Sequence, residues 1–189
     1  METGLLTKEY SCNNMNFSQH WCNHVLQELF DTPAPKVDWR WNSGYAAWEA
    51  TVEIGDNTYG LMMSSFPWEL GKWNIPAFDA STWSQLRHGS WCFEFYEQRA
   101  DGSQHHDVTG TAMNRASKVF GVMGSAVLKL VQDNPKLFKH ICFGGKEANR
   151  VALYRRLAPL LAKKMRKQLF MNDRGDHFFL VDKSIQVKQ

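Results

Sequence analysis

Hydrophobic and polar residues alternate over a stretch near residue 50. The hydrophobic members are Ala50, Val52 and Ile54, and Thr51 and Glu53 lie between them. A period of two residues is typical of a β-strand with one buried face. The alternation stops at residues 55–57, Gly-Asp-Asn, and an apolar run resumes at Tyr59. Residues 45–66 therefore predict a β-hairpin.

The same period returns further along the chain. Trp91, Phe93 and Phe95 alternate with other residues, which predicts a strand over residues 91–98. The polar, glycine-containing residues that follow favour a turn, so residues 105–111 are expected to complete a second hairpin. Near the C-terminus, residues 168–173 and 177–183 predict a last pair of strands around the turn Arg-Gly-Asp.

Helical spacing of apolar residues marks three other segments. They are residues 18–30, residues 112–132 and the segment that follows Gly145. An apolar stripe at intervals of three to four residues is typical of an amphipathic helix. A short apolar run at residues 140–143 predicts a strand between the last two helices, and one short helix is expected near residues 81–87.

The order of these elements indicates a single domain of the mixed α+β class. A strand, a helix and another strand in succession favour a parallel pair inside a mixed sheet, with helices packed on it. We expect a twisted mixed sheet of about six to seven strands with helices on both faces. We expect residues 17–189 to form this domain and residues 1–16 to form a flexible N-terminal arm. A chain of 189 residues is the size of one ordinary domain.

Composition and motifs restrict the classes of function. The formal net charge of +3 does not by itself require a nucleic-acid partner. Two of the four cysteines, Cys92 and Cys142, lie in apolar runs, so we expect a reducing, cytoplasmic compartment. No apolar stretch approaches membrane-spanning length. The sequence contains no GxSxG, Walker-type or HExxH motif, so serine-, ATP- and metal-driven chemistries have no support.

The chain from Asp107 onward resembles the second half of a GNAT-type acetyltransferase fold. The residues that carry the resemblance are "DVTGT", "HICFGG" and "RVALYRRLA", which follow one another in that order. The run "NRVALYRRL" is also similar to a run in small, uncharacterised proteins of tailed bacteriophages. The resemblance covers roughly half of the chain and implies the order strand, helix, strand, helix, strand pair.

The resemblance also implies positions for acetyl-CoA and for catalysis. The cofactor diphosphate would meet the N-terminus of the helix near residue 112, where unpaired N–H groups favour an anion. The matching residues are Thr109, Gly110, Thr111, Asn114 and Arg115. This loop has only one glycine, and Arg115 lies within the helix, so we expect the protein to work without a cofactor. If it is an enzyme, Tyr154 is the candidate general acid and Glu94 the candidate general base.

For both candidate catalytic residues, the sequence also allows an interpretation without a catalytic role. Tyr154 shares a helical stripe with apolar residues, so its ring is expected to pack in the core. Glu94 alternates with two phenylalanines and faces solvent on the alternative interpretation.

Basic residues are concentrated on the last helix and just after it. They are Arg150, Arg155, Arg156, Lys163, Lys164 and Lys167. They predict either a surface for a partner or nucleic acid, or a solvated helix face whose C-terminal cations favour the helix dipole.

Two other groups of polar residues are considered as possible metal sites. His20 and His24 lie one helical turn apart, near Cys12 and Cys22, but their spacing matches no zinc finger or ribbon. His105, His106 and Asp107 are expected to form an ordinary polar turn. We therefore expect no bound metal.

Together these observations favour a bacteriophage-type accessory protein with a GNAT-like fold in the cytoplasm of the host cell. It is expected to bind a host or viral protein, with nucleic acid as a second class of partner and an oligomer left open. An acetyl-CoA-dependent N-acetyltransferase is the enzymatic alternative. A nucleic-acid-binding protein that uses the basic helix over residues 150–167 is the other alternative.

Overall fold

The computed structural model describes residues 36–65, 73–99, 101, 103–105, 113–145 and 148–187. The expected N-terminal arm and the predicted helix over residues 18–30 lie outside these ranges.

The described ranges contain eight strands and three helices. The strands are β1 (Arg40–Asn42), β2 (Ala47–Ile54), β3 (Asn57–Ser65), β4 (Ser90–Gln98), β5 (Gln104–His105), β6 (His140–Gly144), β7 (Gln168–Met171) and β8 (His177–Val181). The helices are α1 (Ala80–Leu86), α2 (Met113–Asp133) and α3 (Ala148–Met165).

The strands form one mixed sheet. Seven of them lie in the order β1-β2-β3-β4-β6-β8-β7, and β5 pairs with β4 outside this path. Strands β4 and β6 are parallel, and the other neighbouring pairs are antiparallel. The parallel pair requires a crossover, and α2 lies between these two strands in the chain.

Strand β4 has different partners on its two edges. On one edge, β3 pairs with residues 91–98 of β4. On the other edge, β6 pairs with residues 90–92 and β5 pairs with residues 97–98. Because a strand has only two edges, β6 and β5 share the second one. Strands β4 and β6 therefore separate after the register pair of Cys92 and Cys142.

Helices cover both faces of the sheet. Helices α2 and α3 pack on the face that carries the larger apolar cluster, which includes Leu61, Phe95 and Leu180. Helix α1 lies on the opposite face, where Leu86 packs with Cys92, Cys142 and Phe179. Strand β8 is buried on both faces, which explains its unbroken apolar sequence.

The predicted fold class is confirmed. The described residues form a mixed α+β sheet with helices on both faces, and the predicted strands at residues 91–98, 140–143, 168–173 and 177–183 are present within a few residues. Strand β1 was not predicted, because three residues are too few to show a period. Strand β5 covers two residues in the described part, and residues 106–111 of the second predicted hairpin lie outside it.

Candidate functional site

Tyr154 lies in the core of the protein. Its side chain is only 4% exposed. Its ring contacts those of Phe95, Phe120, Phe143 and Phe178, at centroid distances of 6.4, 5.6, 5.3 and 6.2 Å. All four contacts are edge-to-face, an arrangement that aromatic rings prefer. This geometry agrees with the second interpretation of the sequence, in which the Tyr154 ring packs in the core.

The opening between β4 and β6 is where these rings meet. Phe95 of β4 and Phe143 of β6 are each 2% exposed. The guanidinium carbon of Arg150, on the first turn of α3, lies 5.2 Å from the centroid of the Phe95 ring. This is within the range of a cation–π contact. Side chains of α3 therefore pack over the place where the two strands separate.

The two glycines after β6 allow the chain to pass close to other groups. A Cβ atom on Gly144 would lie 2.7 Å from Cδ2 of His177 and 2.9 Å from the carbonyl oxygen of Asp176. A Cβ atom on Gly145 would lie 3.0 Å from Cδ of Arg150 and 3.3 Å from the ring of Tyr154. The sequence Gly-Gly thus follows from tight packing against the β7–β8 turn and against α3.

Glu94 lies on the other face of the sheet. Side chains alternate along β4, so Phe93 and Phe95 face α2 and α3 while Glu94 faces away from them. The side chain of Glu94 is exposed. The two candidate catalytic residues, Tyr154 and Glu94, are therefore on opposite sides of the sheet.

The structure does not describe the residues that the resemblance assigns to acetyl-CoA. Thr109, Gly110 and Thr111 lie outside the described ranges, and so do His106 and Asp107. Asn114 and Arg115 lie in the first turn of α2, where the backbone but not the side chains is described. Cys12, His20, Cys22 and His24, which were considered as metal ligands, also lie outside.

Several basic residues of the last helix make contacts within the protein. Arg155 donates from Nε to the carbonyl oxygen of Gly175 at 2.9 Å and from Nη2 to that of Arg174 at 2.5 Å. Lys167, after the end of α3, donates from Nζ to the carbonyl oxygen of Lys139 at 2.6 Å. Burial lowers the pKa of Lys167, although Asp182 opposes this shift. Arg155 therefore holds the β7–β8 turn in place, and Lys167 holds the loop before β6.

The remaining basic residues of α3 are spread along the helix. Lys163 and Lys164 are exposed in its last turn, where cations favour the helix dipole. Arg156 is half-buried. The basic residues of this segment therefore do not form one uniform solvated face, and a nucleic-acid surface on residues 150–167 stays a prediction.

His140 is a buried titratable residue that sequence reasoning missed. It is 1% exposed, and its Nδ1 accepts a hydrogen bond from the backbone N–H of Asp182 at 3.1 Å. Burial lowers the pKa of His140 to about 4, with help from Lys167 and Lys139 and against the effect of Asp182. The imidazole is therefore neutral at pH 7, with its proton on Nε2. The only feature of the sequence that indicates a buried histidine here is its position at the start of an apolar run.

A second polar cluster lies in the β7–β8 turn. Asp176 accepts hydrogen bonds at 2.6 Å from Nδ2 of Asn172 and from Nδ1 of His177. Burial alone raises the pKa of Asp176, but the hydrogen bonds from Asn172 and His177 outweigh it and lower that pKa. Oδ1 of Asn172 accepts from the backbone N–H groups of Asp176 and His177 at 3.0 and 3.2 Å. These bonds stabilise the turn itself.

Exposed aromatic residues lie at the end of the sheet where β4 and β6 begin, which we call the basal end. Trp41 is 48% exposed, and its ring centroid lies 5.7 Å from that of Trp48 and 6.3 Å from that of Trp91. Nε1 of Trp91 donates to the carbonyl oxygen of Leu137 at 2.9 Å, which places the loop before β6 beside this row of rings. Leu137 itself is 39% exposed.

Tyr45 and two lysines extend this region. Tyr45 is 73% exposed in the β1–β2 turn, which is also at the basal end. Lys136 and Lys139 are exposed on either side of Leu137. We call Trp41, Tyr45, Lys136, Leu137 and Lys139 the basal surface. Sequence reasoning missed it, because its two segments, residues 41–45 and 136–139, are about ninety residues apart and only the sheet brings them to one end.

The opposite end of the sheet carries an open polar depression of about 920 Å³. Its lining residues are Asp56, Asn57, Thr58, Glu97, Gln98, Arg99 and Asp101. Asn57 donates from Nδ2 to Glu97, which ties the β2–β3 turn to the end of β4.

No three His, Cys, Asp or Glu side chains in the described ranges are grouped as metal ligands would be. None of the helices in the described part of the chain is long and apolar enough to cross a bilayer. In comparisons with family models, curated proteins and solved structures, nothing matches this chain.

Proposed function

We propose that this protein is a bacteriophage-type accessory protein that acts by binding a host or viral macromolecule, without catalysing acetyl transfer. The observation that carries the proposal is the packing of Tyr154 among four phenylalanine rings at the opening between β4 and β6. A general acid has to reach the reacting atoms. Tyr154 is enclosed instead by side chains of the core.

The position of Glu94 supports the same proposal. Because Glu94 and Tyr154 lie on opposite sides of the sheet, a substrate would have to pass between β4 and β6 to meet both. Phe95 and Phe143 are buried at that place. The packing would have to open before this pair of residues acts on one molecule.

The exposed residues of the basal end support a binding role. Protein surfaces that recognise other macromolecules are rich in tryptophan and tyrosine, which bury much area with few rotatable bonds. Three of the four large apolar side chains that are exposed in the described part of the chain lie at the basal end; they are Trp41, Tyr45 and Leu137. The fourth, Met171, lies at the opposite end of the sheet.

A GNAT-like architecture is part of the proposal. From Asp107 onward the resemblance implies the order strand, helix, strand, helix, strand pair. Its first strand, residues 107–111, lies outside the described residues, and its later members agree with the order α2, β6, α3, β7 and β8. This agreement supports a related fold, and the resemblance to phage proteins supports a place in the cytoplasm of an infected cell. Fold and function are separate questions, since one fold hosts many activities.

Isothermal titration with acetyl-CoA tests the proposal directly. We expect no saturable heat at concentrations up to about a millimolar, well above the micromolar affinities typical of enzyme cofactors and substrates. A second assay follows release of free thiol from acetyl-CoA in the presence of a panel of primary amines. Micromolar binding together with turnover that Tyr154→Phe abolishes would replace the proposal with the N-acetyltransferase alternative.

The sequence favours a host or viral protein as the partner. Whether the partner is a protein or a nucleic acid depends on the chemistry of the surface that meets it.

A further inference from the structure

We infer that the basal surface binds single-stranded nucleic acid. The inference rests on the proposed binding function and names the chemistry of the partner. Exposed aromatic rings and lysines lie together at one end of the sheet, although these residues are far apart in the sequence.

Charge is distributed unevenly between the two ends of the sheet. Strands β2, β4, β6 and β7 begin at the basal end, and α2 and α3 end there. The basic residues that this topology gathers at the basal end are Arg87, Lys136, Lys139, Lys163, Lys164, Arg166, Lys167 and Lys183. Among the described residues, the acidic ones there are Asp133 and Asp182, together with Glu49, which accepts a hydrogen bond from Asn42 beside Trp41. Asp133 is paired with Lys129 at 2.6 Å.

The opposite end has the reverse balance. Among the described residues, its acidic members are Glu53, Asp56, Glu97, Asp101, Asp173 and Asp176, against the basic residues Arg99, Arg150, Arg155 and Arg174. The described part of the chain is therefore divided into a basic end and an acidic end. The basal end attracts a polyanion, although the net charge of +3 does not show it.

Exposed aromatic rings lie within this basic end. Trp41 packs against Trp48 and Trp91, which hold its ring in place while about half of its surface remains exposed. Lys136 and Lys139 flank Leu137, whose carbonyl oxygen bonds to Trp91. Lys139 also packs beside Gly89, next to the exposed Arg87 and His88. The lysines and the exposed ring are thus linked through Trp91.

These features fit a single strand better than a duplex or an acidic protein. Each nucleotide of a single strand offers a phosphate together with an unpaired base that stacks on an aromatic ring. In a duplex the bases are already stacked on one another. An acidic protein matches the lysines but does not require an exposed tryptophan ring among them.

Fluorescence anisotropy with labelled oligothymidylate of about fifteen nucleotides tests the inference, since such a strand covers a typical binding site. Titrations are made at about 50 mM and about 200 mM salt, and we expect a log–log slope of about −0.7 for each phosphate contacted. Trp41→Ala is expected to weaken binding by about 5- to 150-fold, which corresponds to the loss of one stacked base. Lys136→Glu with Lys139→Glu is expected to weaken binding by about tenfold or more at the lower salt concentration.

Matched variants control for general effects. Met171→Ala removes a similarly exposed apolar side chain at the other end of the sheet, and Arg99→Glu with Arg174→Glu makes the same change of charge there. Both are expected to bind the oligonucleotide like the wild type. If Trp41→Ala lowers the melting temperature, Tyr45→Ala provides a second test, because the exposed ring in the turn supports no packing in the core.

Three results would overturn the inference. The first is absence of oligothymidylate binding at the lower salt concentration. The second is equal binding by wild type and by the variants of the basal surface. The third is binding of poly-glutamate as tight as that of oligothymidylate and unaffected by Trp41→Ala, which would indicate an acidic protein partner. None of these results depends on acetyl-CoA, so failure of this inference and failure of the proposed function are separate outcomes.

Discussion

The ring of Tyr96 lies directly over Gly60 on the neighbouring strand. The two residues are register partners in the β3–β4 pair, and a Cβ atom on Gly60 would overlap the phenol ring. Burial raises the pKa of Tyr96, and the nearby Glu49 adds to the shift. The glycine is thus required by the close approach of a side chain.

Gly60→Ala is expected to lower the free energy of unfolding by about 1–3 kcal/mol, the range for inserting a methyl group into a packed site. Urea denaturation followed by circular dichroism measures this. The double variant Gly60→Ala with Tyr96→Ala is the control, because removal of the ring leaves room for the methyl group. A double-mutant cycle should then show a favourable coupling between the two changes. Strictly additive losses would contradict the contact.

The two glycines after β6 are expected to differ in their response to substitution. Gly144→Ala should lower the free energy of unfolding by about 1–3 kcal/mol, because its methyl group would meet the backbone carbonyl of Asp176 and the ring of His177. Gly145→Ala should cost less, because its tightest neighbour is the flexible side chain of Arg150. Each variant is the control for the other in thermal and urea denaturation. An equal loss in both would show that flexibility of the chain, and not close packing, selects glycine here.

Tyr154→Ala is expected to lower the free energy of unfolding by about 3–5 kcal/mol, as for other large aromatic residues deleted from a core. Tyr154→Phe retains the ring and all four edge-to-face contacts, so its loss should be about 1 kcal/mol or less. Urea denaturation of both variants separates packing from the hydroxyl group. A near-neutral Tyr154→Ala would contradict the buried position.

His140 is expected to make stability depend on pH between about 6.5 and 4. The folded pKa of about 4 is lower than the ordinary value of 6.5, so the unfolded state binds the proton more readily. Stability is therefore unaffected by this residue above pH 6.5, falls as the pH drops toward 4, and levels off below that. The full pKa shift corresponds to a loss of about 3 kcal/mol in the free energy of unfolding.

His140→Gln removes the titrating group but keeps a side-chain oxygen that accepts a hydrogen bond. Urea denaturation at several pH values should show a smaller loss between pH 7 and 4 in this variant than in the wild type. Equal pH dependence in the two proteins would mean that other groups, such as the carboxyl of Asp182, are responsible.

The sequence by itself determined most of the strands and helices in the described ranges, with β1 as an exception. The alternation of Ala50, Val52 and Ile54 is a local property, and it recurs in the structure as one buried face of β2. The stripe that includes Tyr154 and Leu161 likewise predicted the buried side of α3. Local periodicity is sufficient here because each element has one apolar face that has to leave water.

The tertiary structure decided which distant residues meet. The sequence placed Glu94 and Tyr154 in one hypothetical catalytic pair, but the sheet separates them, because side chains alternate between its two faces. The sequence also assigned the basic residues near Arg155 to one surface, whereas the carbonyl oxygens of Arg174 and Gly175 bind Arg155 itself. Trp41 and Leu137 showed no relation in the sequence and meet at the basal end through Trp91. Such relations depend on strand order and register, and no local pattern of residues encodes the register between strands that are distant in the chain.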